Sequence, residues 1–347
     1  MSVKENIGKK RAAILGATGY TGVELLRLLA AHPHIDVVHA TGDSQAGQRI
    51  ASLYPNLAAA YPDLIAEAHD PGRLEGLDVV FLCTPHESSL ELVPELIGKV
   101  GLIVDLSAAF RLTDVSQYPT WYGFTHTHPE LLSAAVYGLP EVYRRELAGA
   151  TLVATPGCYV TAATLALRPL VATGVIEQKG IIVDAASGVS GAGKALKSSS
   201  MFCSVDEDFT AYGLVSHRHT PEMQQLIGGE ILFTPHLAPM NRGILATCYG
   251  RPISAGATTD DVLGALHAAY ASEPFVVVSD AIPSTKATLG TNAVHITARV
   301  DARTGHVIVI SALDNLTKGA SGGAVQAANV ALGLDESAGL SSVGMWP

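Results

Sequence analysis

The feature that most constrains the fold is a run of closely spaced glycines near the start of the chain, Gly16-Ala17-Thr18-Gly19-Tyr20-Thr21-Gly22. It follows a strand-like apolar stretch at residues 12–15 and opens a helix-like stretch at residues 21–31. Glycines at such a corner permit a tight turn and let a pyrophosphate approach the N–H groups at the helix start. The spacing is G-x-x-G-x-x-G and not G-x-G-x-x-G, so an ordinary tight turn remains the alternative, but the strand–turn–helix context favours a dinucleotide site. We expect the cofactor to contact Gly16, Thr18, Gly19, Tyr20, Thr21 and Gly22.

The rest of the chain divides into two parts by its pattern of strands. Strand-like stretches at residues 36–40, 79–83, 102–105 and 152–154 alternate with helical patterns, which predicts βαβ units and a parallel sheet. After about residue 157 strand candidates become denser, at residues 181–185, 231–234, 245–249, 276–278, 294–300 and 307–312, and the last two predict an antiparallel hairpin. We therefore expect an α/β protein. A Rossmann-like dinucleotide-binding domain at 1–157 is completed by a C-terminal helix within 315–347, and an α+β substrate and dimerisation domain with a mixed sheet occupies 158–314.

Charge and cysteine content exclude several classes of function. The 347 residues carry a net charge of −10, which argues against a general nucleic-acid or anionic-membrane binder because such proteins need a cationic excess. No apolar stretch is long enough to span a bilayer, and the four cysteines form no C-x-x-C pair. We expect a cytoplasmic protein that has no metal centre and acts on a small molecule.

One cysteine stands in a setting that suits chemistry. Cys158 follows a strand and the corner Pro156-Gly157, and residues 162–171 read as a helix, so the thiol lies at a helix start. There the helix dipole and free N–H groups favour a thiolate and could hold an oxyanion. The alternative is a small buried apolar residue, which we expect for Cys83, Cys203 and Cys248.

The stretch around this cysteine carries a resemblance. Residues 153–169, V-A-T-P-G-C-Y-V-T-A-A-T-L-A-L-R-P, resemble the nucleophile signature of the N-acetyl-gamma-glutamyl-phosphate reductase family. Further similar blocks occur in the family's order along nearly the whole chain, at residues 16–22, 110–112, 138–141, 187–193, 217–222, 242–245 and 314–319. The resemblance implies an NADP-dependent enzyme related to aspartate-semialdehyde dehydrogenases, with Cys158 as the nucleophile.

A second polar cluster is Ser216-His217-Arg218-His219-Thr220-Pro221-Glu222. Acid–base chemistry with phosphate anchoring, an H-x-H metal site and a polar surface turn are all compatible with it. A nucleophilic Cys158 favours the first, because acyl transfer needs a proton acceptor and later a donor. The resemblance implies that the segment lines the active site, so we expect His217, His219 and Glu222 to be catalytic and Arg218 to bind substrate. The sequence does not choose between the two histidines. His126 and His128 are expected at the surface.

The loop Ser187-Gly188-Val189-Ser190-Gly191-Ala192-Gly193-Lys194-Ala195 nearly matches a Walker A loop. Ala195 replaces the hydroxyl that would hold magnesium, which makes an ATPase improbable. The resemblance implies that Ser187 and Gly188 lie near the nicotinamide, and we expect Lys194 to bind substrate; a plain turn is the alternative.

Polar residues after two other stretches complete the candidate set. Arg111 and Ser107 follow a predicted strand, and Arg111 could pair with a phosphate or carboxylate in bidentate fashion. The resemblance implies that Asn315 contacts the nicotinamide carboxamide, although it could instead cap a helix. Beyond the second strand, Ser44 and nearby Arg49 would suit a 2′-phosphate and hence NADP, whereas Asp43 would suit the free ribose hydroxyl of NAD.

The resemblance implies reduction of N-acetyl-gamma-glutamyl phosphate by NADPH, through a Cys158 thioester, to N-acetylglutamate semialdehyde and phosphate in arginine biosynthesis. Aminoadipyl-phosphate and aspartyl-phosphate reductases are alternatives within the superfamily. An H-x-H metal hydrolase and a non-catalytic NADP sensor are alternatives outside it. A homodimer or homotetramer is expected.

Overall fold

The structure is a computed structural model that describes residues 8–346, and these form two compact units. The first contains the described residues up to Ala109, then Ala134–Thr155 and Ala324–Leu340. The second contains Phe110–Ser133, Pro156–Gly323 and the described residues from Ser341 onward. Residues 110–133, 156–157, 315–323 and 341–346 thus lie in the second unit, whereas the sequence analysis grouped them with the first.

The first unit is built on a parallel six-stranded sheet of order β2-β1-β3-β4-β6-β5. Its strands are β1 (Lys10–Leu15), β2 (Ile35–Ala40), β3 (Val79–Leu82), β4 (Ile103–Asp105), β5 (Val136–Tyr137) and β6 (Leu152–Ala154). The central β3, VVFL, is buried at every position, as expected for a strand covered on both faces. The predicted parallel sheet is confirmed, and the two-residue β5 was not predicted.

Helices cover this sheet. They are α1 (Tyr20–Leu29), α2 (Ile50–Leu53), α3 (His86–Leu96), α5 (Pro140–Leu147) and most of α10 (Gly322–Ala331). Leu25 and Leu26 of α1 and Val325 of α10 belong to one buried cluster with the strand residues Ile14 and Phe81. The chain's last helix therefore helps to form the core of the first unit.

The second unit contains a mixed seven-stranded sheet of order β11-β12-β13-β10-β7-β9-β8. Its strands are β7 (Ile181–Gly188), β8 (Thr210–Ala211), β9 (Ile231–Ala238), β10 (Ile244–Gly250), β11 (Val276–Val278), β12 (Val294–Asp301) and β13 (His306–Leu313). β12 and β13 form the predicted antiparallel hairpin, whereas β7 and β9 run parallel. The expected α/β class with a second, mixed sheet is confirmed.

Five helices belong to the second unit, of which α6 is the longest. They are α4 (Tyr118–Tyr122), α6 (Cys158–Ala172), α7 (Phe202–Val205), α8 (Thr220–Ile227) and α9 (Thr259–Tyr270). α6 packs on β10 and β13 and is flanked by α8 and α9. Eleven of its fifteen residues are buried, so its first residue is fixed by a rigid helix. A short π-helix, Thr317–Ser321, precedes α10.

Within residues 8–346, no helix is long and apolar enough to cross a membrane.

Candidate functional site

Cys158 is the first residue of α6, with Gly157 in the N-cap position. The N–H groups of Cys158 and Tyr159 point at its sulfur, and the residue as a whole is half-buried. Within the described chain, no side chain caps the helix at Gly157. The sequence therefore placed the cysteine correctly at a helix start, where N–H donors converge on the sulfur.

The corner before Cys158 is fixed by a buried carboxylate from α8. Glu222 is fully buried, and its Oε1 accepts the N–H of Gly157 at 2.9 Å. Its Oε2 lies 3.6 Å from Nη1 of Arg111, which is also buried. One helical turn later, Gln225 donates to the Arg111 carbonyl at 3.0 Å and accepts the N–H and hydroxyl of Thr113. Two residues of α8 thus connect Gly157, which precedes the nucleophile, with residues 111–113.

The two histidines occupy different positions. His219 is buried against Gly157, because a methyl group built on that glycine would lie 2.7 Å from Cδ2 and 2.8 Å from Cε1 of the imidazole. His217 is only half-buried, and its ring contacts Tyr159 and Tyr212, with centroids 5.8 and 5.5 Å away. The structure therefore places His219 against the residue next to Cys158, a distinction that the sequence did not make. Arg218 between them is exposed.

The electrostatics of the site favour the uncharged forms of the Cys158 thiol and of the two imidazoles. Burial raises the pKa of Cys158, although the N–H of Tyr159 and the positive charges of Arg111 and Arg218 act in the opposite direction. Burial, followed by His217, Arg111 and Arg218, holds the pKa of His219 well below its usual range. Burial and Arg218 lower the pKa of His217 to about 4. At Cys158 desolvation thus outweighs the helix start and favours the thiol, and both imidazoles are neutral at pH 7.

A glycine of the π-helix closes the other side of the cysteine. A methyl group at Gly319 would lie 2.8 Å from Cβ of Cys158. Gly319 donates to the carbonyl of Asp314, whose buried carboxylate binds Arg242 and the N–H groups of Leu316 and Thr317. π-Helical turns occur frequently at functional sites, and here the turn brings bare backbone against the thiol-bearing residue.

The glycine-rich loop after β7 has internal partners. Gly188 packs against the backbone of Asn241 and Arg242, because a Cβ built on Gly188 would lie 2.7 Å from the Arg242 backbone nitrogen. Asn315 is buried, and its amide accepts from the Gly243 N–H at 2.7 Å and donates to the Ser190 hydroxyl at 2.9 Å. Ser187 is buried and donates to the Gly188 carbonyl, whereas Lys194 is exposed. The loop is therefore held by Asn315, a structural role that the sequence did not assign to this residue.

The glycine turn of the first unit fits a dinucleotide. A Cβ at Gly16 would lie 2.5 Å from the Cys83 carbonyl oxygen, and one at Gly22 would collide with Ala17, so both positions require glycine. No side chain among the described residues caps α1 at Gly19, so its first N–H groups face the open end of the helix. Thr18 and Thr21 are half-buried beside this opening, and Tyr20 is exposed. A pyrophosphate suits such a helix start.

The residues beyond β2 lie close to this turn. The Thr41 carbonyl and hydroxyl accept the N–H groups of Ala17 and Gly16. Asp43 and Ser44 follow in an exposed 3₁₀ turn, and Arg49 pairs with Asp63 at 3.3 Å, both exposed.

Ser107 is buried in the first unit, and its hydroxyl donates to Asp105 at 2.8 Å. It therefore helps to shape the turn after β4.

Three further expectations meet the structure. Within residues 8–346, no group of three or more His, Cys, Asp or Glu side chains is placed so that it could hold a metal ion. His126 is buried beside Phe110 and Tyr118, so its expected surface position is wrong; aromatic neighbours remove it from solvent. Cys203 is exposed on α7 and not buried as expected, because that short helix lies outside the core.

Sequence reasoning missed several residues of the site. Gln225 could have been found by its i, i+3 spacing from Glu222 on α8. The proximity of Gly319 to Cys158 had no local signal. The Tyr159 hydroxyl, which donates to the His236 carbonyl and accepts from Tyr212, was also missed.

Comparison with known proteins defines the class first. Residues 11–150 match the family model described as semialdehyde dehydrogenase, NAD binding domain, and residues 158–315 match semialdehyde dehydrogenase, dimerisation domain. Among solved structures, an aspartate semialdehyde dehydrogenase II from Vibrio cholerae is similar, with a TM-score of 0.71 at 16% identity, covering 93% of this chain and 98% of that chain. Another, described with NADP and from Candida albicans, has a TM-score of 0.66 at 14% identity, covering 93% of this chain and 100% of that chain. The chain has the two-domain fold of the semialdehyde dehydrogenases.

More similar sequences specify the family. The chain is 48% identical to an N-acetyl-gamma-glutamyl-phosphate reductase of Symbiobacterium thermophilum, over 96% of this chain and 98% of that protein. It is 46% identical to one of Geobacter sulfurreducens, over 97% of this chain and 99% of that protein. The chain belongs to the N-acetyl-gamma-glutamyl-phosphate reductase family, as the resemblance implied.

Proposed function

We propose that this protein reduces N-acetyl-gamma-glutamyl phosphate with NADPH to N-acetylglutamate semialdehyde and phosphate, a step of arginine biosynthesis. The observation that carries the proposal is the pairing of Cys158 at the start of α6 with His219 against Gly157, in a chain 48% identical to a protein of that name. A cysteine at a helix start, with a neutral imidazole packed on the residue before it, suits acyl transfer.

Cys158 is the nucleophile. Its sulfur attacks the acyl carbon, and the bond from that carbon to the phosphate oxygen breaks, which releases phosphate and leaves a thioester on Cys158. The N–H groups of Cys158 and Tyr159, which point at the sulfur, stabilise negative charge there as the proton leaves. The bare backbone of Gly319 packs closely against the Cys158 β-carbon, where any larger residue would collide.

His219 moves the proton. Because burial and neighbouring cations lower its pKa, its imidazole is neutral at pH 7 and can accept the thiol proton during attack. After reduction of the thioester, the hemithioacetal oxyanion collapses to the aldehyde and expels the Cys158 sulfur, and the imidazolium returns its proton to that sulfur. His217 packs on Tyr159 and supports this geometry from the side.

Glu222 is a positioning residue in this mechanism. Its buried carboxylate holds the Gly157 N–H and lies beside the Arg111 guanidinium, so it fixes both the nucleophile's corner and a cation. Arg111 lies beside the Glu222 carboxylate, and its positive charge lowers the pKa of Cys158. The exposed Arg218 and Lys194, with Ser107, are the remaining proposed contacts for the substrate's phosphate and carboxylate groups.

The cofactor is a nicotinamide dinucleotide, and the glycine turn Gly16–Gly22 with the open start of α1 would hold its pyrophosphate. NADPH, when bound, supplies the hydride that reduces the thioester carbonyl. Ser44 and Arg49 would hold the 2′-phosphate. The exposed Arg49–Asp63 pair is weak and can exchange for a phosphate. Ser187 and Gly188 line the loop proposed for the nicotinamide, and Asn315 holds that loop in place.

A homo-oligomer is also proposed. The support is the match of residues 158–315 to a domain described by its role in dimerisation. The choice between dimer and tetramer is open to a measurement of molar mass.

The test is the reverse reaction with competing substrates. N-acetylglutamate semialdehyde, aspartate semialdehyde and a carrier-linked aminoadipate semialdehyde are each supplied with NADP and phosphate, and NADPH formation is followed by absorbance. Turnover that needs phosphate and is fastest with the first substrate supports the proposal. Faster turnover with either of the other two semialdehydes would identify that compound as the substrate instead. Stoichiometric zinc in the purified protein, together with hydrolytic turnover, would favour a metal hydrolase.

A further inference from the structure

Residues 341–346 lie on the second unit as a strap, which we call the 341–346 strap. Near its beginning, the Ser341 carbonyl accepts the N–H of Asn292 at 2.8 Å. Near its end, the N–H of Met345 donates to the Leu289 carbonyl at 3.3 Å. Two backbone hydrogen bonds therefore hold the strap against the turns that precede β12.

Glycine allows the strap to lie directly on the backbone of these turns, residues 285–292, which we call the 285–292 loop. A Cβ built on Gly344 would overlap the carbonyl oxygen of Ala287. The Cε of Met345 lies 2.9 Å from the place of a Cβ on Gly290, whose φ of 74° also favours glycine. Any side chain at position 344 would therefore lift the strap or shift the loop.

The 285–292 loop is joined to the start of the π-helix through a buried carboxylate. The N–H of Gly290 donates to Oδ2 of Asp314 at 2.7 Å. The other oxygen, Oδ1, accepts the N–H groups of Leu316 and Thr317 at 2.9 and 3.0 Å. Asp314 is fully buried, and hydrogen bonds to a carboxylate are strong. The loop and the first turn of the π-helix therefore share one acceptor.

A second contact reaches the other end of the π-helix. Asn292, whose N–H is bonded to the strap, is fully buried. Its side-chain oxygen lies 2.5 Å from the place of a Cβ on Gly322, which directly follows the last π-helical residue, Ser321. The 285–292 loop thus contacts the π-helix at both ends, and the strap is bonded to that loop.

The π-helix carries the residue that packs on the nucleophile. A methyl group on Gly319 would lie 2.8 Å from Cβ of Cys158, so the two residues are in close contact. Protein interiors are close-packed, and a displacement on one side of such a contact is transmitted to the other. Whatever fixes the π-helix therefore also fixes the surroundings of the Cys158 thiol.

We infer that the 341–346 strap is a positioning element for the nucleophile: through the 285–292 loop it holds the π-helix, and with it Gly319, against Cys158. The positioning half of this inference stands on the packing of the second unit and is tested without turnover. The catalytic half, that release of the strap slows the reaction, rests on the proposed function.

Hydrogen exchange of the full-length protein tests the positioning half. Gly344→Ala should release the strap, so the amides of Asn292 and Met345 should exchange faster. Peptides covering the π-helix, Thr317–Ser321, should then also exchange faster, whereas peptides covering α9 should keep the wild-type rate. The matched control is Gly256→Ala, because that exposed glycine has open space around its missing Cβ.

The reactivity of the thiol gives a second readout that needs no turnover. Iodoacetamide should alkylate Cys158 about fivefold faster in Gly344→Ala, the change expected when roughly one hydrogen bond no longer holds the covering backbone in place. Peptide masses separate Cys158 from the other cysteines. Met345→Ala, which removes the side chain packed on Gly290, should change the alkylation rate in the same direction by a smaller factor.

The catalytic half is measured on the same samples. Gly344→Ala should lower kcat roughly 3–10-fold, because a small misplacement of reacting groups is costly, while KM for NADP stays near the wild-type value. Gly256→Ala should keep the wild-type kcat. A split of this kind would not arise from a general loss of stability, which lowers the amount of active protein in all assays alike.

Three results would count against the inference. Faster exchange in the strap with wild-type exchange in the π-helix and a wild-type alkylation rate overturns the positioning half, and unchanged exchange in the strap of Gly344→Ala overturns the packing that it requires. A loosened π-helix with full kcat overturns the catalytic half. Absence of reductase activity in the wild type would reject the proposed function, while exchange and alkylation would still decide the positioning half.

Discussion

The imidazole of His219 lies so close to the α-carbon of Gly157 that a methyl group there would come within 2.7 Å of Cδ2. Gly157 has an ordinary φ of −67°, so this glycine is needed for the approach of the ring and not for its backbone conformation. The same residue donates its N–H to Glu222. Gly157 therefore contacts two residues of the site. The His219 ring packs where a side chain of Gly157 would lie, and the Glu222 carboxylate accepts the Gly157 N–H.

The first prediction follows from that contact. Gly157→Ala should push the His219 ring away from Cys158 and lower kcat by roughly 10–10²-fold, with folding retained. Gly264→Ala is the matched control, because that helical glycine of α9 has open space around its missing Cβ. Unchanged kcat in Gly157→Ala, measured beside the control, would show that the approach of His219 does not matter.

Substituting His217 and His219 one at a time should distinguish their roles. His219→Asn removes the proposed proton shuttle and should lower kcat on the order of 10²–10⁴-fold, whereas His217→Asn should mainly raise the substrate KM. Because burial holds the His219 pKa well below its usual range, the wild-type acid limb should lie below about pH 6.5. Rate–pH profiles of both variants check this. Full kcat and an unchanged profile in His219→Asn would place the acid–base role elsewhere.

Cofactor choice should depend on the charges beyond β2. We predict a higher kcat/KM with NADPH than with NADH, and Asp43→Asn should increase that ratio because it removes a carboxylate that repels a 2′-phosphate. Ser44→Ala should decrease the ratio. Dissociation constants for the two reduced cofactors provide a readout besides activity. A wild-type preference for NADH would indicate that Asp43 binds the ribose hydroxyl.

A buried histidine of the first unit should make stability depend on pH. His32 is 1% exposed; its Nδ1 accepts the N–H groups of His34 and Ile35, and its Nε2 lies 3.0 Å from the Asn329 oxygen. These partners require a neutral ring, and burial lowers its pKa. The unfolded chain therefore binds the proton more readily, so stability is fully present above about pH 6.5 and declines as the pH falls below it.

Denaturant unfolding at pH 7.5 and 5.5 measures this effect. His32→Gln should unfold with a weaker pH dependence than the wild type, by at most about 1.4 kcal/mol per pH unit for one proton. His34→Gln, at an exposed ring, is the control and should keep the wild-type slope. An equal slope in all three proteins would mean that His32 titrates normally in the folded state.

Most of the fold could be predicted from the sequence, because the apolar periodicity that indicates strands and helices is a local property. The pattern predicted β3 and the β12–β13 hairpin nearly to the residue, and it located the glycine turn and the helix start at Cys158. It did not predict β5, whose two residues carry no periodic signal.

The site was less predictable because its contacts join distant parts of the chain. Glu222 reaches Gly157 across 65 residues, and Gly319 approaches Cys158 through a π-helix that has no sequence signature. His217 and His219 share one motif, so only their different burial separates them. The raised pKa of Cys158 also depends on burial, which outweighs the local helix-start effect that the sequence shows.

The central claim is that Cys158 carries an acyl group during the reaction, and a rapid-mixing experiment without phosphate tests it most directly. With N-acetylglutamate semialdehyde and NADP, the enzyme should form one NADPH per competent site in a burst and then stall, because the thioester has no phosphate to accept the acyl group. Adding phosphate should restore turnover, and Cys158→Ser should give neither burst nor turnover while still binding NADP. A Cys158→Ser protein that turns over near the wild-type rate would contradict the account.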